Sequence, residues 1–190
     1  DNSSWVYDDL TFSDDSVVYS IIGSTVQNNL LHQHLNEYKS FYPANNNRYY
    51  QKKGNGYFEY TYVSRFTSAL NYSPSIYDDI NFLNEDVHNG DSWYTDTYSG
   101  HTSIQLQVLK LRYQLKCLEA DAVKDINGKV FEHVIIMEMR PEVAEDGKPL
   151  VHTGEIHTLY YARGIGLIYS TFYNGILSHD VLKIRRWTVN

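Results

Sequence analysis

The chain has 190 residues, a length that fits one domain able to bury a core without disulfides or metals. Its 42% hydrophobic and 21% charged residues are close to globular averages, so a disordered or fibrous protein is excluded. Sixteen Lys and Arg against 23 Asp and Glu give a formal charge of −7, which argues against nucleic acid and anionic membranes as partners. We therefore expect residues 1–190 to form a single globular domain.

The N-terminal segment, residues 1–48, contains the one stretch with a helical period. Ser24 can cap a first turn, and Pro43 followed by a run of asparagines ends the pattern. Between them, residues suited to one buried helix face recur at spacings of three and four: Val26, Leu30, Leu31, His34, Leu35 and Tyr38. This pattern predicts a helix over about residues 24–41.

From residue 49 to residue 190 the pattern favours β structure. Residues 57–63 are dense in strand formers and follow the turn Gly54-Asn55-Gly56. Asn127-Gly128 is typical of a type I′ hairpin turn. The next run, residues 130–139, is apolar on both alternating phases, which predicts a central strand covered on both faces.

The end of the chain predicts an antiparallel meander. Strands are expected over residues 156–162, 167–173 and 181–189, with tight glycine-containing turns between them. Residues 68–100 are expected to form a long irregular connection. The predicted fold is therefore mainly β with one N-terminal helix.

His152, Glu155 and His157 form the best metal-like cluster. On a strand, Glu155 and His157 point to the same side, and His152 could fold back from the preceding turn. Zinc accepts such nitrogen and oxygen ligands but needs three or four convergent groups. A strand start whose polar side chains face water explains the same pattern, and we favour that interpretation, so no cofactor is expected.

Tyrosine is the residue that stands out, with 18 copies against 7 Phe and 3 Trp. A tyrosine ring has a flat apolar face and a polar edge, which suits sugar stacking or the mouth of a lipid cavity. The alternative is that tyrosine is a good strand former without a ligand. The candidate ligand-binding residues are Tyr113, Tyr160, Tyr161 and Tyr169 on predicted strands, together with Trp93.

The residues give little support for catalysis. Adjacent acids such as Asp78-Asp79 are more typical of turns than of a glycosidase cleft, and neither Ser92 nor Ser170 lies in a Gly-x-Ser-x-Gly motif. Cys117 is the single cysteine, so an internal disulfide is excluded. Because apolar strand residues surround it in the sequence, we expect a buried, inert thiol. We therefore assign no catalytic residue and expect a protein that is not an enzyme.

Five short motifs follow one another between residues 49 and 189. They are YYQKKGNGY at 49–57, GDSW at 90–93, NGKVF at 127–131, YYARGIGLI at 160–168 and a closing strand over 182–187. Together they resemble a family of uncharacterised gut-bacterial lipoproteins. No activity is attached to that family, so the resemblance supplies no catalytic residues.

The resemblance implies export to the periplasm or the cell surface, with a lipid anchor on an N-terminal cysteine. This chain begins at Asp1 without that cysteine, as expected of a chain that starts after a cleaved signal peptide. It also implies a curved, half-barrel-like antiparallel sheet packed against helical elements. Gly164 and Gly166, within the fourth motif, are expected to supply a structural bend.

Three functions follow as expectations. The first is a non-catalytic envelope protein that holds a lipid or other apolar ligand in the concave face of its sheet. The second is a glycan-binding or protein-interaction module with an exposed, flat aromatic row, for which Trp93, Tyr94 and Tyr98 are candidates. The third, a hydrolase, has the least support. The sequence indicates no oligomeric state.

Overall fold

The structure of the chain is a computed structural model that describes residues 3–9, 15–27, 29–39, 46–67, 72–73, 76–102 and 108–189. Among these residues, fifteen β-strands join in one antiparallel sheet. The described part of the chain contains no helix that is long and apolar enough to cross a membrane.

Most strands are joined to the next by short connections. Their bounds are β1 Ser4–Asp9, β2 Asp15–Gln27, β3 Leu30–Lys39, β4 Asn46–Lys53, β5 Gly56–Tyr62, β6 Tyr72–Ser73, β7 Tyr77–Asn84, β8 Ser92–Tyr94, β9 Tyr98–Thr102, β10 Val108–Ile126, β11 Lys129–Glu145, β12 Val151–His152, β13 Ile156–Ala162, β14 Gly166–Tyr173 and β15 Ser178–Thr188. β10 and β11, of 19 and 17 residues, form the central hairpin.

The sheet bends until its two ends approach each other. Its strand order is β6-β9-β10-β11-β13-β14-β15-β1-β2-β3-β4-β5-β7, with β8 paired to β10 and β12 paired to β11. Across the ends, the indole Nε1 of Trp93 on β8 donates to the carbonyl of Asn81 on β7 at 3.2 Å. The described strands show no ladder between β7 and β8 or β9. We call this unpaired gap the seam.

Two clusters of buried side chains form the core. The first joins β1, β2, β14 and β15 to one end of the central hairpin and includes Tyr7, Val17, Tyr19, Ala122, Phe131, Val134, Ile136, Ile168 and Ile184. The second packs β7 and the residue that follows β5 on the other end of that hairpin and includes Val63, Ile80, Leu83, Leu111, Tyr113, Leu115, Met137 and Met139. Because β10 and β11 supply side chains to both clusters, the central hairpin connects them.

The helix predicted over about residues 24–41 is wrong. Residues 15–27 and 30–39 form β2 and β3, and Asn29 between them has a φ of 61°, while residues 28, 40 and 41 lie outside the described residues. The helix prediction places Val26 and Leu31 on a buried face, but their side chains are 64% and 67% exposed. The apolar spacing therefore did not mark a buried face, and pairing with β1 and β4 outweighed the local pattern.

The mainly β, antiparallel prediction is confirmed. Asn127 and Gly128 have φ angles of 56° and 72°, the positive values that a type I′ turn requires. β11 pairs with β10 and β13, and the consecutive residues Ile136 and Met137 are both buried, as expected of a central strand. The stretch expected to be an irregular connection, residues 68–100, contributes to β6, β7, β8 and β9, since its residues pair with β5, β10 and each other. Residues 68–71 and 74–75 of this stretch lie outside the described residues.

Candidate ligand-binding site

Cross-strand pairing places a row of aromatic and polar side chains on one face of β3, β4, β5 and β7. His34 pairs with Tyr49, Tyr49 pairs with Tyr60, and Tyr60 pairs with Asp79. One step along the sheet, on the same face, Tyr62 pairs with Tyr77. Directly paired residues point to the same side of a sheet, so these side chains share one surface.

The rings of this row touch one another. Tyr60 and Tyr77 are stacked with centroids 6.0 Å apart, and Tyr62 lies 5.7 Å from Tyr77. Tyr49 meets Tyr60 edge-on at 6.2 Å, and His34 stacks on Tyr49 at 4.9 Å. Tyr77 is 55% exposed, so the row reaches solvent. The four tyrosines form a continuous aromatic surface across β4, β5 and β7, and His34 extends it to β3.

A surface cavity of about 360 Å³ opens on this row. It is lined by Asn47, Tyr49, Tyr60, Thr61, Tyr62, Arg65 and Tyr77, and we call it the tyrosine cavity. Asn47 adds an amide and Arg65 a guanidinium to the tyrosine hydroxyls. One Arg65 nitrogen lies 2.8 Å from the buried Glu59 carboxylate, so the cation at the rim is paired with an anion. Such a site can stack a flat apolar face and hydrogen-bond its edge.

A buried histidine–carboxylate pair supports the tyrosine cavity. The His32 ring is 1% exposed, its Nε2 lies 2.6 Å from Oδ1 of Asp79, and its centroid lies 5.8 Å from that of Tyr60. The other ring nitrogen, Nδ1, contacts the carbonyl of Leu30 at 2.9 Å. Both nitrogens therefore face acceptors, which leaves neither available as a general base toward a bound molecule.

The candidate ligand residues Tyr113 and Tyr161 pack against the second core cluster. Tyr113 is 0% exposed, and its hydroxyl donates to the carbonyl of Val63 at 2.6 Å. Tyr161 is half-buried and packs on Phe82 with centroids 5.6 Å apart, and burial raises the pKa of its hydroxyl well above the ordinary value. Neither side chain lines the tyrosine cavity.

Tyr160 and Tyr169 form a separate, half-buried pair on β13 and β14. Their rings lie 5.1 Å apart, and the Tyr169 hydroxyl donates to the Asp180 carboxylate. Burial, assisted by that carboxylate, raises the pKa of Tyr169. The five predicted ligand residues therefore do not converge on one site.

Trp93 borders a second cavity, of about 410 Å³, at the seam. Asn55, Asn84, Asp86, Val87, Asp91, Ser92 and Trp93 line it, and we call it the seam cleft. The other four candidate ligand residues line neither the seam cleft nor the tyrosine cavity.

The three candidate metal ligands have separate partners. Glu155 is buried and accepts a hydrogen bond from Thr67 at 2.6 Å, while His152 lies on the surface, 3.4 Å from the Glu142 carboxylate. His157 donates from Nε2 to the carbonyl of Phe66 at 2.8 Å. No three His, Cys, Asp or Glu side chains within the described ranges converge as a metal site.

Gly164 and Gly166 lie at the turn between β13 and β14, with φ angles of 73° and 100°. Any residue with a Cβ atom is strained at such φ angles, whereas glycine is not. The pair shapes the connection and lines neither cavity.

Sequence reasoning missed the tyrosine cavity. The alternation of Tyr60 and Tyr62 in a dense strand was a usable local signal. Tyr49 and Tyr77 could not be added to it, because their positions depend on the register of β4 and β7 against β5. Tyr77 also lies in residues 68–100, for which the sequence predicts an irregular connection.

No family model, no curated protein and no solved structure matches the chain.

Proposed function

We propose that the protein is a non-catalytic carbohydrate-binding module and that the tyrosine cavity holds the saccharide. The observation that carries the proposal is the continuous surface of Tyr49, Tyr60, Tyr62 and Tyr77, whose ring contacts span three strands beside an open cavity. The glycan-binding alternative predicts an exposed, flat aromatic row. This row reaches solvent at Tyr77, and its neighbouring ring planes are inclined to each other by 29° to 65°. The row lies on β4, β5 and β7 rather than at Trp93, Tyr94 and Tyr98.

The chemistry of the lining fits a sugar. The apolar C–H face of a pyranose ring can pack on tyrosine rings, while its hydroxyls exchange hydrogen bonds with polar side chains at the edge. Asn47 offers both donors and acceptors, and Arg65 offers donors. Because Arg65 is paired with Glu59, the cavity suits an uncharged glycan.

A lipid ligand, the other expectation, requires a cavity lined by aliphatic side chains. The tyrosine cavity and the seam cleft are instead lined chiefly by tyrosines, amides and carboxylates. The space between the bent halves of the sheet holds the buried side chains of the second core cluster, including Leu111, Leu115 and Met139. The geometry therefore favours the saccharide, and the envelope location remains a proposal from the motif resemblance.

The test is a glycan array followed by calorimetric titration of the best ligand. Tyr77→Ala removes the most exposed ring of the row, and we expect a loss of affinity of about tenfold or more, or about 1.4 kcal/mol. Tyr94→Ala is the matched control, because Tyr94 is 47% exposed but lines neither cavity. Its affinity should equal that of the wild type.

Two results would contradict the proposal. One is an array without a ligand for the folded protein, and the other is a ligand whose affinity is unchanged in Tyr77→Ala and in Tyr62→Ala. A fatty acid or phospholipid that co-purifies with the protein and is seen by native mass spectrometry would favour the lipid function instead.

A further inference from the structure

The seam cleft exists because β7 and β8 do not pair. A continuous ladder would hold neighbouring strands about 4.8 Å apart and leave no room between them. At the seam, the approach of the two strands is set by side chains, including the indole of Trp93, which donates to the carbonyl of Asn81 at 3.2 Å. The cleft therefore lies where the strand order of the sheet leaves β7 and β8 unpaired.

Trp93 forms an apolar wall of the cleft. It pairs with Leu115, which is fully buried, so its ring points toward the core and packs against the second core cluster. The ring nevertheless stays half-exposed and contributes to the cleft lining together with Val87. An indole held at its nitrogen and packed on one side is a fixed surface for stacking.

The polar lining of the seam cleft is acidic. Asp86 and Asp91 contribute two carboxylates, and no Lys or Arg is among the described residues that line it. Oδ2 of Asp86 accepts from the amide of Asn55 at 2.5 Å, and Oδ2 of Asp91 accepts from the backbone N–H of His88 at 2.8 Å. These contacts orient both carboxylates and use one oxygen of each.

His88 lies outside the lining but faces one of these carboxylates. Its Nδ1 lies 3.5 Å from Oδ2 of Asp91, so a protonated His88 offsets part of the Asp91 charge. The Nζ of Lys52 lies 2.6 Å from the Glu85 carboxylate, so this lysine has its own partner. A cationic group in the cleft would therefore meet the Asp86 carboxylate, together with an Asp91 carboxylate shared with His88, beside an aromatic face, the combination that favours organic cations.

We propose that the seam cleft is a second ligand site and that it takes an amino sugar. The pyranose ring packs on Trp93, its ammonium group lies between the carboxylates of Asp86 and Asp91, and its hydroxyls meet Asn84 and Ser92. The seam cleft shares no lining residue with the tyrosine cavity, so this site goes beyond the proposed function and does not depend on it.

The test compares a short glucosamine oligosaccharide with its fully N-acetylated counterpart, in EDTA and in buffer acidic enough to protonate the amine. Binding is followed by calorimetry and by tryptophan fluorescence, because Trp93 is one of 3 tryptophans. We expect the amine form to bind more tightly, with an affinity that falls as salt is raised. Each of Asp86→Asn and Asp91→Asn should weaken it about threefold, and the double variant about tenfold.

Asp146→Asn is the matched control, since it removes the same charge from an exposed turn outside the cleft. Trp93→Ala should abolish the fluorescence response, and Trp93→Phe should retain binding of the amine form. If Trp93→Ala fails to fold, the Asp86→Asn and Asp91→Asn variants test the proposal without it, because the side chains of Asp86 and Asp91 are exposed and do not pack in the core.

Equal binding of the amine and acetylated forms would overturn the proposal, as would unchanged affinity in the double Asn variant. Binding of the amine form that is lost in Tyr77→Ala but unaffected in Trp93→Ala would leave the proposed function standing while the seam cleft fails. Binding of the amine form that survives in Tyr77→Ala and is lost in the double Asn variant would establish the seam cleft as a site separate from the tyrosine cavity.

Discussion

At the scale of single residues, buried polar groups find their partners far along the chain. Tyr113 donates to the carbonyl of Val63, Thr67 donates to Glu155, and His32 contacts Asp79, each at 2.6 Å. A buried polar group without a partner costs about 1–3 kcal/mol, so each contact favours one arrangement of the strands that it links. These contacts therefore add to the apolar core in specifying which strands lie together.

His157 should make the protein less stable as the pH falls. Burial, the largest effect, lowers its pKa from the ordinary value of 6.5, and the Phe66 carbonyl and Glu155 oppose the shift. The unfolded chain therefore takes up this proton at higher pH than the folded chain does. The contribution of His157 to the free energy of unfolding is fully present above pH 6.5. It is lost as the pH falls from there through the lower pKa that His157 has in the folded protein.

The measurement is a series of thermal melts from neutral to mildly acidic pH. His157→Gln should show a shallower fall in Tm with decreasing pH than the wild type, whatever its Tm at neutral pH. His179→Gln, a change at an exposed histidine, is the control. Equal slopes for the wild type and His157→Gln would show that His157 does not carry this dependence.

At the scale of elements, the β2–β3 hairpin shows how local patterns can mislead. Its residues have helical apolar spacing, yet Ile22, Val26 and Leu31 are all more than half exposed. Both strands are held by neighbours, since Ser4 pairs with Ser20 and Gln33 pairs with Tyr50. A local helix would leave β1 and β4 without these partners, so the sheet decides the conformation.

Substitutions at Asn29 distinguish the hairpin from a helix. Its φ of 61° is open to glycine but strained for a β-branched residue. We expect Asn29→Gly to leave the free energy of unfolding nearly unchanged and Asn29→Val to lower it by about 1–2 kcal/mol, as measured in urea. A helix would reverse the order, because glycine is the worse residue there. Ser24→Val, on an exposed strand position, is the control.

At the scale of the whole molecule, the sheet is centred on the β10–β11 hairpin and open at the seam. β11 has strand neighbours on both sides, whereas the described strands pair β7 only with β5. At the edge of β7, the Asp79 N–H is taken by the Asp78 side chain, and the Asn81 carbonyl accepts from Trp93. Side chains thus replace a ladder along this edge.

Hydrogen exchange followed by mass spectrometry should report this difference. We expect peptides from β7 to exchange faster than peptides from the middle of β11, because edge amides open without breaking a ladder on both sides. Peptides from β13, which is paired on both sides, are the control. Equal protection of β7 and β11 would show that the seam is closed in solution.

Local pattern was enough to predict several elements of the fold. The strand formers in residues 57–63 gave β5, Asn127-Gly128 gave the turn of the central hairpin, and β13 begins and ends where the pattern placed it. Each of these signals lies within a few residues of the element that it predicts. The tyrosine cavity was not predictable in this way, since Tyr49, Tyr60 and Tyr77 meet only through strand register.

By itself, the sequence determined that the chain is globular, mainly β and antiparallel, because composition, strand-forming runs and turn residues act locally. Only the tertiary structure decided that residues 24–27 and 30–39 lie in strands, that the tyrosines of β4, β5 and β7 share one face, and that an acidic cleft borders Trp93. Those outcomes depend on pairing between strands distant in the chain, and cross-strand register leaves no signal in any short window of residues.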